Sequence, residues 1–229
     1  SEFYGLVTTL IFMGITGALL VKDLDRPDRF LYVLLRPQWK SWLVKGAYII
    51  TIFGGLVTLK LIDNIYGFNW YWLWVLGSIF SVLGAIYTAF LFAQARARDL
   101  WQSKWVSAIH MLVHAIISGS FVLMIISPLS KSYMVNLLLI SITINIIIIM
   151  KEILFPHNTP DSKKAIHLMT KGYYSKYFWL GITLGSIIPI IMLSTQMEEL
   201  VIISGVLALI GNYLTEYVRI RIPQMIPLS

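Results

Sequence analysis

Long runs of apolar positions, separated by short polar segments, dominate the pattern of this chain. Each run is near the ~20 residues that an α-helix needs to cross a hydrocarbon core of ~30 Å. The runs cover residues 3–21, 46–62, 71–94, 105–127, 133–154, 177–194 and 200–218. The pattern therefore predicts an all-α, polytopic transmembrane helical bundle with seven spans.

The positions of the basic residues support this count, because these residues are concentrated in every second loop between the spans. Sixteen of the eighteen Lys and Arg residues fall in segments 22–45, 96–104, 151–176 and 219–221, which leaves only Lys60 and Lys131. Seven crossings place all four segments on one side of the membrane. The positive-inside rule predicts that this side, with the C-terminus, is cytoplasmic and that residue 1 lies outside.

Composition narrows the class of protein. The chain is 58% hydrophobic and 13% charged, whereas soluble domains carry about 25% charged residues. Its net charge of +7 follows from the basic loops of a membrane protein, so we expect a lipid bilayer and no nucleic acid as its partner. The absence of cysteine excludes disulfides, thiolate zinc sites and any iron–sulfur cluster held by this chain alone.

Small residues recur inside the spans and predict close helix contacts. The pairs are Gly14 with Ala18, Gly77 with Gly84, Gly181 with Gly185 and Gly205 with Gly211.

The first candidate site is at the end of the second span. Lys60 and Asp63 share one helical face, and Tyr66, Trp70 and Trp72 follow. A carboxylate beside an ammonium, rimmed by aromatic rings, could bind a quinone headgroup, and Asp63 could accept its protons. The alternative is a snorkelling lysine paired with a surface aspartate.

The second candidate is a polar path through the later spans. His110 and His114 lie one turn apart on one helical face, and ionisable groups within a span suggest function. A proton relay, haem ligation and simple hydrogen bonding in the core remain open for them. Glu152 and Glu216 could continue such a path, or could form interfacial ion pairs. Three asparagines within spans add polar points, namely Asn136, Asn145 and Asn212. We predict no metal site, and no motif of soluble catalysis is present, so the chain is not expected to be catalytic alone.

Several ordered blocks resemble the polysulfide-reductase membrane-subunit family, often called NrfD-like. The first is DLDRPDRFLYVLLRPQWKSWLVKGAY, with Asp25 where that family commonly has Gly. AFLFAQARARDLWQS followed by HMLVHA is similar to the branch found in alternative complex III. PHNTPDSKKAIHLMTKGYYSKYFWLG and the closing RIPQMIPLS match further blocks. His110 falls where that branch has His, whereas His114 stands where Gln is more usual.

The resemblance implies a haem-free, quinone-reactive anchor built from two four-helix bundles in a prokaryotic inner membrane. Residues 1–104 would be the first bundle, with an interfacial loop at 22–45 and its first helix missing from this sequence. Residues 105–229 would be the second bundle. The family also implies a ferredoxin-like iron–sulfur subunit on the outer face, with molybdopterin-type or cytochrome c subunits beyond it.

We therefore expect a quinol/quinone-binding subunit of a respiratory oxidoreductase. It would pass electrons between menaquinone or a similar quinone and a partner's iron–sulfur cluster, with proton translocation as a further expectation. Iron–sulfur clusters, molybdopterin and haem c would belong to partner subunits, and this chain would bind no cofactor alone. The alternatives are a haem-b-type quinol anchor and a non-redox anchor or transporter.

Overall fold

The computed structural model describes residues 2–22, 30–95, 99–126, 131–154, 159–195 and 197–226, which contain helices and no β-strand. Parts of the basic segments and of the family-like blocks, at 23–29, 96–98, 155–158 and 227–229, lie outside the described residues. The helices are α1 Glu2–Lys22, α2 Phe30–Leu35, α3 Trp42–Tyr66, α4 Trp72–Ala93, α5 Lys104–Ile126, α6 Lys131–Leu154, α7 Pro160–Thr170, α8 Ser175–Ile182, α9 Ile188–Ser194 and α10 Glu198–Met225.

Within the described residues, seven helical segments are long and apolar enough to cross a membrane, which confirms the predicted seven spans and the polytopic helical bundle. The sixth span consists of α8, a π-helical turn at Thr183–Ile187 and α9. Two compact units, residues 1–94 and 95–229, divide the chain. Their interpretation as two helical bundles stays a prediction.

In the unit formed by residues 1–94, α3 packs against both α1 and α4. The side-chain amide of Gln94, after α4, fixes the start of α3. Its Oε1 accepts from the Trp42 backbone N–H at 2.8 Å, and its Nε2 donates to the Lys40 carbonyl at 3.0 Å. The Trp42 ring stacks on Phe90 with centroids 4.5 Å apart. These contacts hold the chain entering α3 against the end of α4.

The unit formed by residues 95–229 has two apolar clusters with a polar layer between them. One cluster contains Ile149, Phe178 and Val218, and the other contains Ile117, Ile142 and Ala208. The three helices α5, α6 and α10 each contribute buried polar side chains to this layer, for example His110, Asn145 and Thr215. Apolar side chains thus pack on both sides of this layer.

The crossing of the sixth span with α10 depends on glycine. Pro189 has no backbone N–H for the Gly185 carbonyl, and the helix widens there so that the Ile188 N–H donates to the Thr183 carbonyl. A Cβ on Gly185 would lie 2.7 Å from the Gly211 Cα. The predicted close contacts are confirmed here and at Gly205, which abuts Phe121, whereas a Cβ at Gly14, Gly77 or Gly84 would meet nothing within 4 Å.

Gly211→Val is expected to lower the stability of the unit, because two backbones touch where the new side chain would lie. Overpacking of this kind costs about 1–3 kcal/mol. Thermal unfolding of the purified complex measures the effect. Gly119→Ala is the control, since a Cβ at Gly119 meets nothing within 4 Å. Equal melting temperatures for the two variants would contradict the role of this crossing.

Candidate functional site

Six side chains from α5, α6 and α10 form what we call the buried polar cluster: His110, His114, Asn145, Glu152, Glu216 and Arg219. Helical spacing fixes part of it, because His110 and His114 are four residues apart on α5 and Glu216 and Arg219 are three apart on α10. Asn145 and Glu152 reach it from α6. The cluster occupies the polar layer between the two apolar clusters.

The two histidines converge on one amide oxygen. Nε2 of His110 and Nε2 of His114 lie 2.8 Å and 3.0 Å from Oδ1 of Asn145. The ring centroids are 4.3 Å apart. His110 and Asn145 are buried. Since buried polar groups are costly unless hydrogen-bonded, the shared oxygen compensates both rings.

Arg219 connects the histidines to the carboxylates. Its Nη1 contacts Nδ1 of His110 and lies 3.8 Å from Oε1 of Glu216. Its Nη2 donates to Oε1 of Glu152 at 3.1 Å and reaches the Ser107 hydroxyl at 3.5 Å. A guanidinium can be buried at this position because it meets two carboxylates.

Glu216 completes the cluster by facing His114, with Oε1 of the carboxylate 3.2 Å from Nδ1 of the ring. The Glu216 side chain is 24% exposed, against 12% for His114 and 11% for Glu152 and Arg219. Glu216 therefore offers the cluster its most accessible group. One turn earlier, the buried amide of Asn212 has no hydrogen-bond partner for either polar atom among the described residues.

The geometry of the cluster disfavours a metal ion and a haem. Three possible ligand atoms lie within 4.8 Å of one another, one each from His110, His114 and Glu216. The Arg219 guanidinium, however, contacts His110 and Glu216 and would repel a cation. In a bis-histidine haem the two imidazoles bind the iron from opposite faces of the porphyrin. The imidazole rings of His110 and His114 have centroids only 4.3 Å apart, which leaves no room for a porphyrin between them. Hydrogen bonding and proton transfer are the chemistry that this arrangement supports.

The Lys60–Asp63 site lies at the end of α3. Nζ of Lys60 is 2.6 Å from Oδ2 of Asp63 and 3.4 Å from Oε1 of Glu2 on α1. The other carboxylate oxygen of Asp63, Oδ1, accepts from the Trp70 backbone N–H at 2.9 Å. Asp63 is only 2% exposed, so its carboxylate is held by groups on both sides. Gly67, with φ 73°, ends the helix in the left-handed conformation.

The aromatic residues after Asp63 form a row of rings and not a closed pocket. Tyr66 stacks on Phe68, and Phe68 stacks on Trp70, with centroids 5.8 and 5.0 Å apart. Tyr66 is 70% exposed and Trp70 37%. The structure thus brings Lys60 and Asp63 together with the backbone of Trp70, whereas the Tyr66 ring faces outward.

An apolar cavity of about 130 Å³ lies elsewhere in the same unit, lined by Gly17, Leu20, Val33, Ala47 and Tyr87, among others. A cavity of about 150 Å³ can hold a benzene ring. The lining residues on α3 end at Thr51, about 18 Å along the helix from Asp63. None of the four residues predicted to bind quinone lines this cavity.

The family model for the polysulphide reductase NrfD matches residues 3–227 of the chain. The chain belongs to the NrfD family. Comparison with curated proteins and with solved structures gives no match. Members of the NrfD family are membrane subunits of reductase complexes and are not catalytic alone. Membership makes this chain a quinone-interacting membrane subunit of an oxidoreductase, and NrfD subunits pair with iron–sulfur and molybdoenzyme subunits.

Two parts of this NrfD chain were misread or missed in the sequence. The sequence pattern predicts Arg219 in a basic tail after a span ending at 218, but α10 continues to Met225 and buries the guanidinium. Its spacing of three from Glu216 inside an apolar stretch was the available signal. Glu2 was not predicted as a partner of Lys60, because nothing local relates residues so far apart.

Proposed function

We propose that this NrfD-family chain exchanges electrons between the membrane quinone pool and an iron–sulfur cluster of a partner subunit. The reaction at the chain is quinol ⇌ quinone + 2H⁺ + 2e⁻. The quinone supplies the redox chemistry, the two electrons pass to the partner, and side chains of this chain accept the protons. The observation that carries the proposal is the buried polar cluster within a membrane unit of a quinone-interacting family.

The composition of the cluster suits proton handling in a membrane. Ionisable groups within spans are costly and line ion or proton paths. Glu152, Glu216 and Arg219 have a formal sum of one negative charge when both histidines are neutral, so one added proton brings the cluster to neutrality. A cluster that is neutral when it holds one exchangeable proton can release that proton and take it up again. Translocation of that proton across the membrane is part of the proposal.

The Lys60–Asp63 site is proposed as the quinol contact, with Tyr66 and Trp70 at its rim. In this proposal the Asp63 carboxylate, 2.6 Å from the Lys60 ammonium, takes up protons that the quinol releases. Following the positive-inside rule, this end of α3 would face outside, where the iron–sulfur subunit would dock, and the basic segments would face the cytoplasm of a prokaryote.

Glu216→Gln in the intact complex tests the role of the cluster. The carboxamide keeps size and burial but accepts no proton, so we expect turnover with a menaquinol analogue to fall about 10²-fold, as for loss of a general base. Glu199→Gln is the matched control, since Glu199 is exposed at the start of the same helix. Wild-type turnover of Glu216→Gln would contradict proton handling by the cluster.

The same preparation separates the remaining alternatives. A haem-b anchor would show a b-type band in the reduced-minus-oxidised spectrum of the complex that His110→Gln removes. A non-redox anchor or transporter would leave quinol oxidation independent of every substitution in this chain that preserves assembly. Neither result is expected from the geometry described above.

A further inference from the structure

We infer that Arg219 fixes the protonation pattern of the buried polar cluster, so that His114 and Glu216 share its one exchangeable proton while His110 stays a neutral positioning residue. The pattern follows from which atoms can donate and which can accept. Only its effect on turnover rests on the proposed function.

The Arg219 guanidinium has five N–H donors and no acceptor. Its Nη1 contacts Nδ1 of His110, so that ring nitrogen must carry a lone pair. A histidine with a lone pair on Nδ1 is neutral and carries its proton on Nε2. Arg219 thereby selects both the charge and the tautomer of His110.

The tautomer of His110 determines the orientation of the Asn145 amide. The Nε2–H of His110 donates to the Asn145 oxygen at 2.8 Å, so the amide must present its oxygen to the rings. Nε2 of His114 lies 3.0 Å from the same oxygen. Because an amide oxygen only accepts, Nε2 of His114 must also carry a proton.

The remaining proton lies between His114 and Glu216. Oε1 of Glu216 lies 3.2 Å from Nδ1 of His114 and is a buried atom with no hydrogen-bond partner among the described residues. An ionised Glu216 can only accept there, so its match is a ring with protons on both nitrogens. Transfer of the Nδ1 proton to Oε1 leaves a neutral ring with its proton still on Nε2 and a protonated carboxyl. Both states satisfy every other contact, and they differ only in the position of this proton.

His110 is a positioning residue and not a step of the proton path. A proton cannot continue from His114 to His110, because the Asn145 oxygen already accepts from both rings and the far nitrogen of His110 faces a cation. Exchange must proceed through Glu216, the most exposed member of the set. The other charged groups near the pair are Glu152 and Arg219, which contact each other at 3.1 Å.

Nitrogen-15 solid-state NMR of the histidine-labelled intact complex in lipid tests the inference at neutral pH. Subtracting the spectrum of His110→Gln or His114→Gln from the wild-type spectrum isolates one ring in each case. Glutamine suits position 110 because its oxygen can accept from Arg219 while its nitrogen donates to Asn145. We expect a neutral ring protonated at Nε2 for His110, and for His114 either two protonated nitrogens or an Nδ1 resonance averaged by exchange.

A protonated Nδ1 on His110, or a static Nε2–H ring at position 114 together with an ionised Glu216, would overturn the inference. Turnover gives a second readout. His110→Gln is expected to change the rate while keeping the shape of its pH dependence, whereas His114→Gln should remove one limb of that profile. Loss of the same limb in both variants would show a relay through both rings. The expected NMR pattern without any effect of His114→Gln on turnover would leave the inference standing and refute the proposed function.

Discussion

Arg219→Met is expected to prevent normal accumulation of the complex or to lower its melting temperature strongly. The substitution removes the guanidinium that contacts His110, Glu152 and Glu216 and leaves two carboxylates without its positive charge. Removing one partner of a buried ion pair costs about 3–5 kcal/mol, mostly through the charge left unpaired. The amount of complex in membranes and its thermal unfolding midpoint measure the effect.

Two further variants sharpen this test. Arg221→Met removes an exposed arginine from the same helix and is expected to leave the melting temperature nearly unchanged, since exposed ion pairs contribute about 0–1 kcal/mol. Glu152→Gln added to Arg219→Met should recover part of the stability, because it removes one of the carboxylate charges that Arg219 neutralises. Equal melting temperatures of Arg219→Met and Arg221→Met would show that the guanidinium is not needed for the packing of α5, α6 and α10.

Asp63→Asn is expected to lower quinol oxidation by about 10²-fold while the complex stays assembled. The carboxamide oxygen can still accept from the Trp70 N–H, so the end of α3 keeps its turn, but the side chain no longer binds a proton. Turnover with a menaquinol analogue, together with the iron–sulfur signal of the complex, measures the change. A retained iron–sulfur signal shows that the partner subunit is still in place.

Asn64→Asp is the matched control, because it adds a carboxylate at an exposed position one residue away without touching the Lys60 contact. Unchanged turnover in Asp63→Asn would leave this aspartate a purely structural residue that holds Lys60 and Trp70. The quinol contact would then have to be sought elsewhere, beginning with the cavity lined by Tyr87.

The outcome for His110 and His114 illustrates how far local spacing reaches. Their separation of four residues placed them on one face, and the structure confirms that their rings lie together. Spacing alone could not distinguish a proton relay through both rings from a pair in which the protonation of His110 is fixed. That difference depends on Asn145 from α6 and Arg219 from α10, which are 35 and 109 residues from His110 in the chain.

What the sequence determined by itself is the membrane character of the chain, its seven spans and the pairs within one turn of a helix, such as Lys60 with Asp63. These follow from hydropathy, from the cost of charge in hydrocarbon and from the period of the α-helix, all of which are local. The tertiary structure alone decided that Arg219 is buried and that Glu2 reaches Lys60. A guanidinium is stable in the interior only where carboxylates from other parts of the fold meet it, and those partners lie far away in the chain.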